Sequence, residues 1–208
     1  MSRQITEYRN TLQRFYVHRS QLGLNFGVAS KEANRFGVPP EMQAGPINSD
    51  GWVEWKLADS TARIRDIRTL EEDFQFVFPE SFINYLQAMC HLFDDVSSRK
   101  YDQQIFWEPL PLTNPLGSLR FLIAAWDDLI RADFIPVAQW GDGWGPICFD
   151  AKNKSEPEHP LVWFDHEYLA RFKPHEMQNH AVIAHYAQPI YDNFNEMFDD
   201  LFGSDTST

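Results

Sequence analysis

Asp165, His166 and Glu167 are the densest set of side chains in this chain that could hold a metal ion or move a proton. Together with Asp150, and with Asp142 and Glu158 not far off in sequence, they are the types used in metal-assisted hydrolysis, where carboxylates and imidazoles hold a divalent ion that activates water. Neighbouring residues on a strand point to opposite faces, so the three converge only where a strand ends. A polar strand end is therefore the favoured reading. His175, His180 and His185 are spaced by five, which does not stack them on one helix face as i, i+4 zinc ligands require.

Covalent chemistry finds no better footing. Cys90 and Cys148 sit in apolar sequence without a nucleophile signature, and His91, next to Cys90, diverges from it on a helix. No G-x-S-x-G elbow occurs. Gly141-Asp142-Gly143-Trp144-Gly145 alternates glycines but follows neither phosphate-binding fingerprint, and it joins two apolar stretches instead of opening a helix. Asp142-Gly143 is instead hairpin-turn chemistry, since it supplies the positive φ that tight turns need. The sequence thus predicts no catalytic residue, no cofactor and no metal.

The elements that would position these groups can be read in outline. Ile5, Tyr8, Leu12 and Phe15 recur at helical spacing. Residues 23–51 are broken by glycine and proline and read as a long wrapping connection, so that 1–51 divide into an N-terminal helix, an appendage of ~20 residues, and a wrapping loop. Trp52 to Leu57 reads as a short strand. Ser60 is a potential cap for a helix through Ile64, Ile67, Leu70 and Phe74. Pro79 opens a helix whose stripe is Phe82, Leu86, Met89 and Phe93. Strands are expected at Gln104 to Glu108, on both arms of the hairpin between Phe134 and Asp150, and at His159 to Asp165, forming an antiparallel meander. A helix capped by Ser118 is expected through Leu119 to Ile130, its first half fitting a strand as well, while Ala181 to Tyr186 fits strand and helix equally. Asn193 and Glu196 mark the start of a last helix with a capping-box spacing, Gly203 its end, and 204–208 a frayed tail.

The chain has 18 Lys and Arg against 30 Asp and Glu, a net charge of −12. That balance argues against nucleic acid as a partner, because phosphate binding needs a basic face. It suits a basic protein partner. No Lys or Arg follows Lys173, whereas Glu176, Asp192, Glu196, Asp199, Asp200 and Asp205 accumulate. No apolar run reaches the roughly 20 residues of a membrane span, and Met1 to Tyr8 lacks a signal-peptide core. With two cysteines in apolar surroundings, a disulfide-free cytoplasmic protein is expected.

The order of elements resembles the Smi1/Knr4 domain of the SUKH superfamily. Trp55-Lys56-Leu57, the pair Leu70-Glu71, and Phe78-Pro79-Glu80-Ser81-Phe82 with Tyr85-Leu86 are similar to its opening. Phe134 to Ala138 and Gly145 to Asp150 resemble its paired strands, Pro160 to Glu167 the next strand, and Asn193 to Leu201 the closing helix. The resemblance covers 52–203 and leaves the N-terminal part and residues 171–187 unexplained. Phe78 stands where the family has Leu, and Asn193 where it has Ser.

The resemblance implies an α+β fold, helices packed on a mixed, largely antiparallel sheet. It also implies a non-enzymatic protein-binding role. Bacterial members are implied to be immunity proteins that neutralise polymorphic toxins, often nucleases; fungal members are implied in cell-wall and signalling regulation through protein contacts. The expectation is thus a binding protein that occludes a basic toxin domain. Asp142, Trp144, Asp165, Glu167, Asp199 and Asp200 are the candidate contact residues, chosen for charge and expected exposure. A regulatory module of the same fold and a metal-dependent hydrolase built on Asp150, Asp165, His166 and Glu167 are the alternatives.

Overall fold

The computed structural model describes residues 2–30, 37–141, 143–153 and 158–203; Asp142 and the tail 204–208 lie outside them. Helix α1 (Arg3–Gln21) starts at Ser2, whose hydroxyl accepts the Ile5 N–H at 3.2 Å. Its apolar stripe follows the sequence spacing, but it is no mere appendage. Tyr8 and Leu12 belong to the main core, with Ile5 and Phe15 packed against it. The Tyr8 hydroxyl donates to Asn195 Oδ1 at 2.6 Å, tying the first helix to the last.

The wrapping connection contains two short strands. β1 (Phe26–Val28) and β2 (Gln43–Ala44) flank β3 (Trp52–Trp55) in a small antiparallel sheet ordered β1-β3-β2. Strands this short carry no legible period. β4 (Ala58–Asp59) leads to α2 (Ile64–Phe74). Ser60 does not cap this helix; its hydroxyl donates to the Leu86 carbonyl at 2.7 Å, and the helix begins after Arg63.

The next helix is shorter than the stripe suggests. α3 (Glu80–Leu86) follows Pro79 as expected but stops at Leu86, and β5 (Met89–Cys90) pairs with β4. Phe82, Leu86, Met89 and Phe93 are all buried regardless. Because six of its seven residues are buried, α3 has no polar face, and apolar periodicity could not mark where it ends.

The remaining elements are β6 (Asp95–Ser98), β7 (Gln103–Trp107), α4 (Gly117–Ala125), α5 (Asp127–Ile130), β8 (Phe134–Trp140) and β9 (Pro146–Asp150), then β10 (Leu161–Trp163), α6 (His166–Leu169), α7 (Pro174–Met177), α8 (His180–Ile183), β11 (Gln188–Tyr191) and α9 (Phe194–Phe202). The ambiguous stretch Ala181 to Tyr186 is helical, and α7, α8 and a 3-10 turn over Ala184–Tyr186 account for most of 171–187. Strands β6 to β11 form one antiparallel sheet in the order β11-β10-β9-β8-β7-β6. The fold is α+β.

Alternation along the strands divides two cores. Ile135, Val137, Ile147, Phe149 and Leu161 face the main core with α1, α3 and α9. Phe134, Cys148, Val162 and Phe164 face a second one closed by Leu129, Leu169 and Ile183. Burial on both faces is why β9 reads as an unbroken apolar run. Pro136, in an interior strand, sits at a register shift between Pro136 and Ala138, where a missing N–H is tolerated.

The sheet curls until its edges meet. Ser98 Oγ on β6 lies 3.2 Å from Tyr191 Oη on β11, and Lys100 Nζ donates to the Ile190 carbonyl at 2.9 Å. Phe194, Met197, Phe198, Leu201 and Phe202 of α9 fill the inside of the curl. Asn193 caps α9 through the Glu196 N–H at 3.0 Å, as expected. Gly203 ends it, though with extended φ −62 instead of a left-handed cap. A Cβ there would strike the Asp199 carbonyl. Among the described residues no helix is long and apolar enough to cross a membrane.

Candidate functional site

The hairpin between β8 and β9 ends in Gly141, Gly143, Trp144 and Gly145, with φ of +55, +76 and +140 at the three glycines. Gly145 is required twice over: its φ disfavours a side chain, and a Cβ would run into the Phe164 carbonyl. That approach presses the tip against the end of β10. The His166 N–H donates to the Trp144 carbonyl at 2.9 Å, and Asp165 Oδ1 accepts the Glu167 N–H at 2.8 Å, opening α6. The Trp144 indole is 59% exposed, and Glu167 is exposed as well. Trp144, Asp165 and Glu167 therefore share one surface. Trp140, by contrast, turns inward and stacks on Trp163 with ring centres 5.2 Å apart.

Asp199 and Asp200 lie elsewhere. Trp163 pairs with Gln188 and Leu161 with Tyr191, so the hairpin tip and Tyr191 mark opposite ends of β11. Asp200 sits at the Tyr191 end and is enclosed in a network. It accepts from Ser98 Oγ at 2.6 Å, Tyr191 Oη at 2.7 Å and the Lys100 N–H at 2.8 Å. Burial, with the adjacent carboxylate, pushes the Tyr191 hydroxyl well above its usual value. Asp200 is a clamp across the curl. Asp199 is exposed on α9, its carboxyl raised by partial burial and drawn back by Arg99.

The groups that suggested hydrolysis do not converge. Asp150 is buried and accepts the N–H groups of Lys152 and Asn153 at 3.2 and 3.1 Å and Asn153 Nδ2 at 2.7 Å, shaping the turn after β9. His180 Nε2 lies 3.4 Å from it, its ring stacked on Phe134. His175 and His185 are exposed. Asp165 is committed to capping, and Ser81 donates to Glu158 at 2.6 Å. Among the described residues no three His, Cys, Asp or Glu side chains are placed to hold a metal. Both cysteines are free and buried, their thiols pushed up by burial, the reverse of an activated nucleophile.

Sequence reading missed a cleft of about 280 Å³ between the small sheet and the large one. Phe26, Gly27 and Val38 form one wall, Phe106, Trp107 and Gln139 the other, with Arg19, Asp94 and Glu108 among the charged lining. Arg19 donates to the carbonyls of Asp95 and Leu24 at 3.4 and 3.3 Å. Asp94 is exposed to solvent on one side; partial desolvation against the cleft and the neighbouring Asp95 raise its carboxyl, and Arg19 offsets this only in part. No signal in the sequence joins residues so far apart; only the unpaired look of Asp94-Asp95 after an apolar run was available.

No family model and no curated protein matches this chain.

Proposed function

We propose that this chain is a protein-binding module of the Smi1/Knr4 type, and specifically an immunity protein that neutralises a basic toxin by covering it. The observation that carries the reading is the hairpin tip. There an exposed indole, Trp144, is held by backbone contacts beside Glu167 on a chain of net charge −12. Large exposed aromatics on rigid supports are common anchors of protein interfaces, and surrounding carboxylates speed the encounter with a basic partner and select for it. The order of elements, from the Leu70-Glu71 helix through the meander to α9, supports the same reading. Occlusion needs no catalytic group: carboxylates stand in for the phosphates that a nuclease toxin would bind.

The test is co-expression with the toxic domain encoded beside this chain. A soluble complex on size exclusion together with restored growth is the expected result. A neighbouring toxin that kills unchecked and elutes separately overturns the proposal.

A further inference from the structure

We propose that the cleft between the two sheets is a docking groove for an extended segment of the partner carrying lysine or arginine, added as a strand to the outer edge of β1; this rests on the reading of the chain as a binder of basic protein. The edge follows from the ladder. Ala29 N–H donates to the Gly51 carbonyl at 2.8 Å and Trp55 N–H to the Asn25 carbonyl at 3.0 Å, so odd-numbered residues spend their backbone groups on β3. In an antiparallel pair the alternate residues turn theirs the other way. Val28 and Ser30 do so and bond Val38 at 2.8 and 3.0 Å. Phe26, two residues earlier, presents its N–H and carbonyl along the same outer edge, where it lines the cleft. A strand edge bordering a groove is the geometry of β-strand addition, in which backbone bonds give affinity and side-chain pockets give selectivity.

Two further observations fix the occupant. Leu24, Phe26, Val28 and Trp52 are all exposed, and Phe26, Val28 and Trp52 share one face of the small sheet, because Val28 pairs with Trp52. A concentrated apolar surface beside a strand edge marks a docking site. The charge at the groove is net acidic: Asp94 and Glu108 line it, and Arg19, which also lines it, is turned to the Asp95 carboxylate at 3.9 Å and to the Asp95 and Leu24 carbonyls. A cation entering beside Asp94 supplies the counter-charge that Arg19 gives only in part. Val28 already bonds Val38, so the added strand pairs mainly at Phe26 and is short, alternating apolar and basic.

The probe is acetyl-Val-Lys-Val-Lys-Val-amide, titrated into the full chain while backbone amides are followed by two-dimensional NMR, with the Glu-for-Lys peptide as control. Saturable shifts centred on residues 24–28, 37–38 and 92–94, at least tenfold weaker binding of the acidic peptide, and a several-fold loss with Asp94→Asn are expected. Equal binding of both peptides, no saturable binding, or shifts centred on Trp144 and Glu167 overturn the groove. The last outcome leaves the proposed function intact. So does a toxin complex that the Lys peptide fails to displace, whereas a toxin that does not bind at all defeats the proposed function and leaves the peptide map standing.

Discussion

Glu71 accepts the backbone N–H of Phe78 at 2.8 Å across the turn between α2 and α3. Its carboxylate is buried and also takes Arg68 at 2.7 Å. Gln75 turns the chain there with φ +61, so the loop returns its amide to the helix it has just left. This gives a physical reason for the Leu-Glu pair: Leu70 enters the core while Glu71 fastens the segment that launches α3.

Glu71→Ala removes a charged acceptor from a buried N–H. A loss of about 1–3 kcal/mol is expected. Urea denaturation should show a lower midpoint with an unchanged slope, and Glu71→Gln, which keeps an acceptor, should lose less.

Gly145→Ala and Gly143→Ala form a matched pair on one turn. Both glycines have positive φ, but a Cβ at Gly143 meets open space and one at Gly145 meets the Phe164 carbonyl. Gly143→Ala should cost ~1 kcal/mol of backbone strain. Gly145→Ala should cost several times more or prevent folding, because the hairpin must also move away from β10. Thermal melts of the two variants read the difference.

His91 should make stability fall with acid. Its ring is fully buried, with Nε2 2.6 Å from Tyr85 Oη and Nδ1 facing the Phe93 N–H, and burial pushes its pKa down to about 3. In the unfolded chain it titrates near 6.5 (about the free imidazole value), so between these values the unfolded state binds a proton that the folded state refuses. Its contribution is complete above the unfolded value and is lost as pH falls toward 3, at a slope approaching ~1.4 kcal/mol per pH unit. Urea midpoints from pH 7 to pH 4 should fall more steeply for the natural chain than for His91→Gln, carboxylates common to both cancelling in the comparison.

Trp144→Ala should separate binding from folding. The exposed indole makes little contribution to the core, so the melting curve should shift by less than ~0.5 kcal/mol. Complex formation with the proposed toxin partner should weaken by at least tenfold, as for an aromatic anchor worth about 2 kcal/mol. Leu12→Ala is its converse: a fully buried side chain on α1, costing about 2–5 kcal/mol of stability.

Much of the fold is legible wherever a local rule governs. Asn193 with Glu196, Pro79 before its helix, and the glycine-turned hairpin each state their structure within a few residues. What escaped depends on partners distant in sequence. Leu12 joins the core only because α3 and α9 come to meet it, and nothing within 1–22 says so. Phe93 looks helical by spacing, yet β4 draws the chain into β5 before that point. The surface was harder still. Trp144 and Glu167 are exposed as their types suggest, but Asp200, the same residue type as its neighbour Asp199, is locked inward by Tyr191, nine residues before it, and by Ser98, about a hundred residues away.

The two-core arrangement of the sheet bears on the cysteines. Cys90 belongs to the core under α1 and α9, and Cys148 points to the opposite side, beneath α5 and α8. Strands β8 to β10 thus form a wall between the only two thiols in the chain. No oxidant can bridge them within one chain while that wall stands, so an intramolecular Cys90–Cys148 crosslink found by mass spectrometry is a record of chain history: it marks oxidation of a chain not yet folded, or unfolded again.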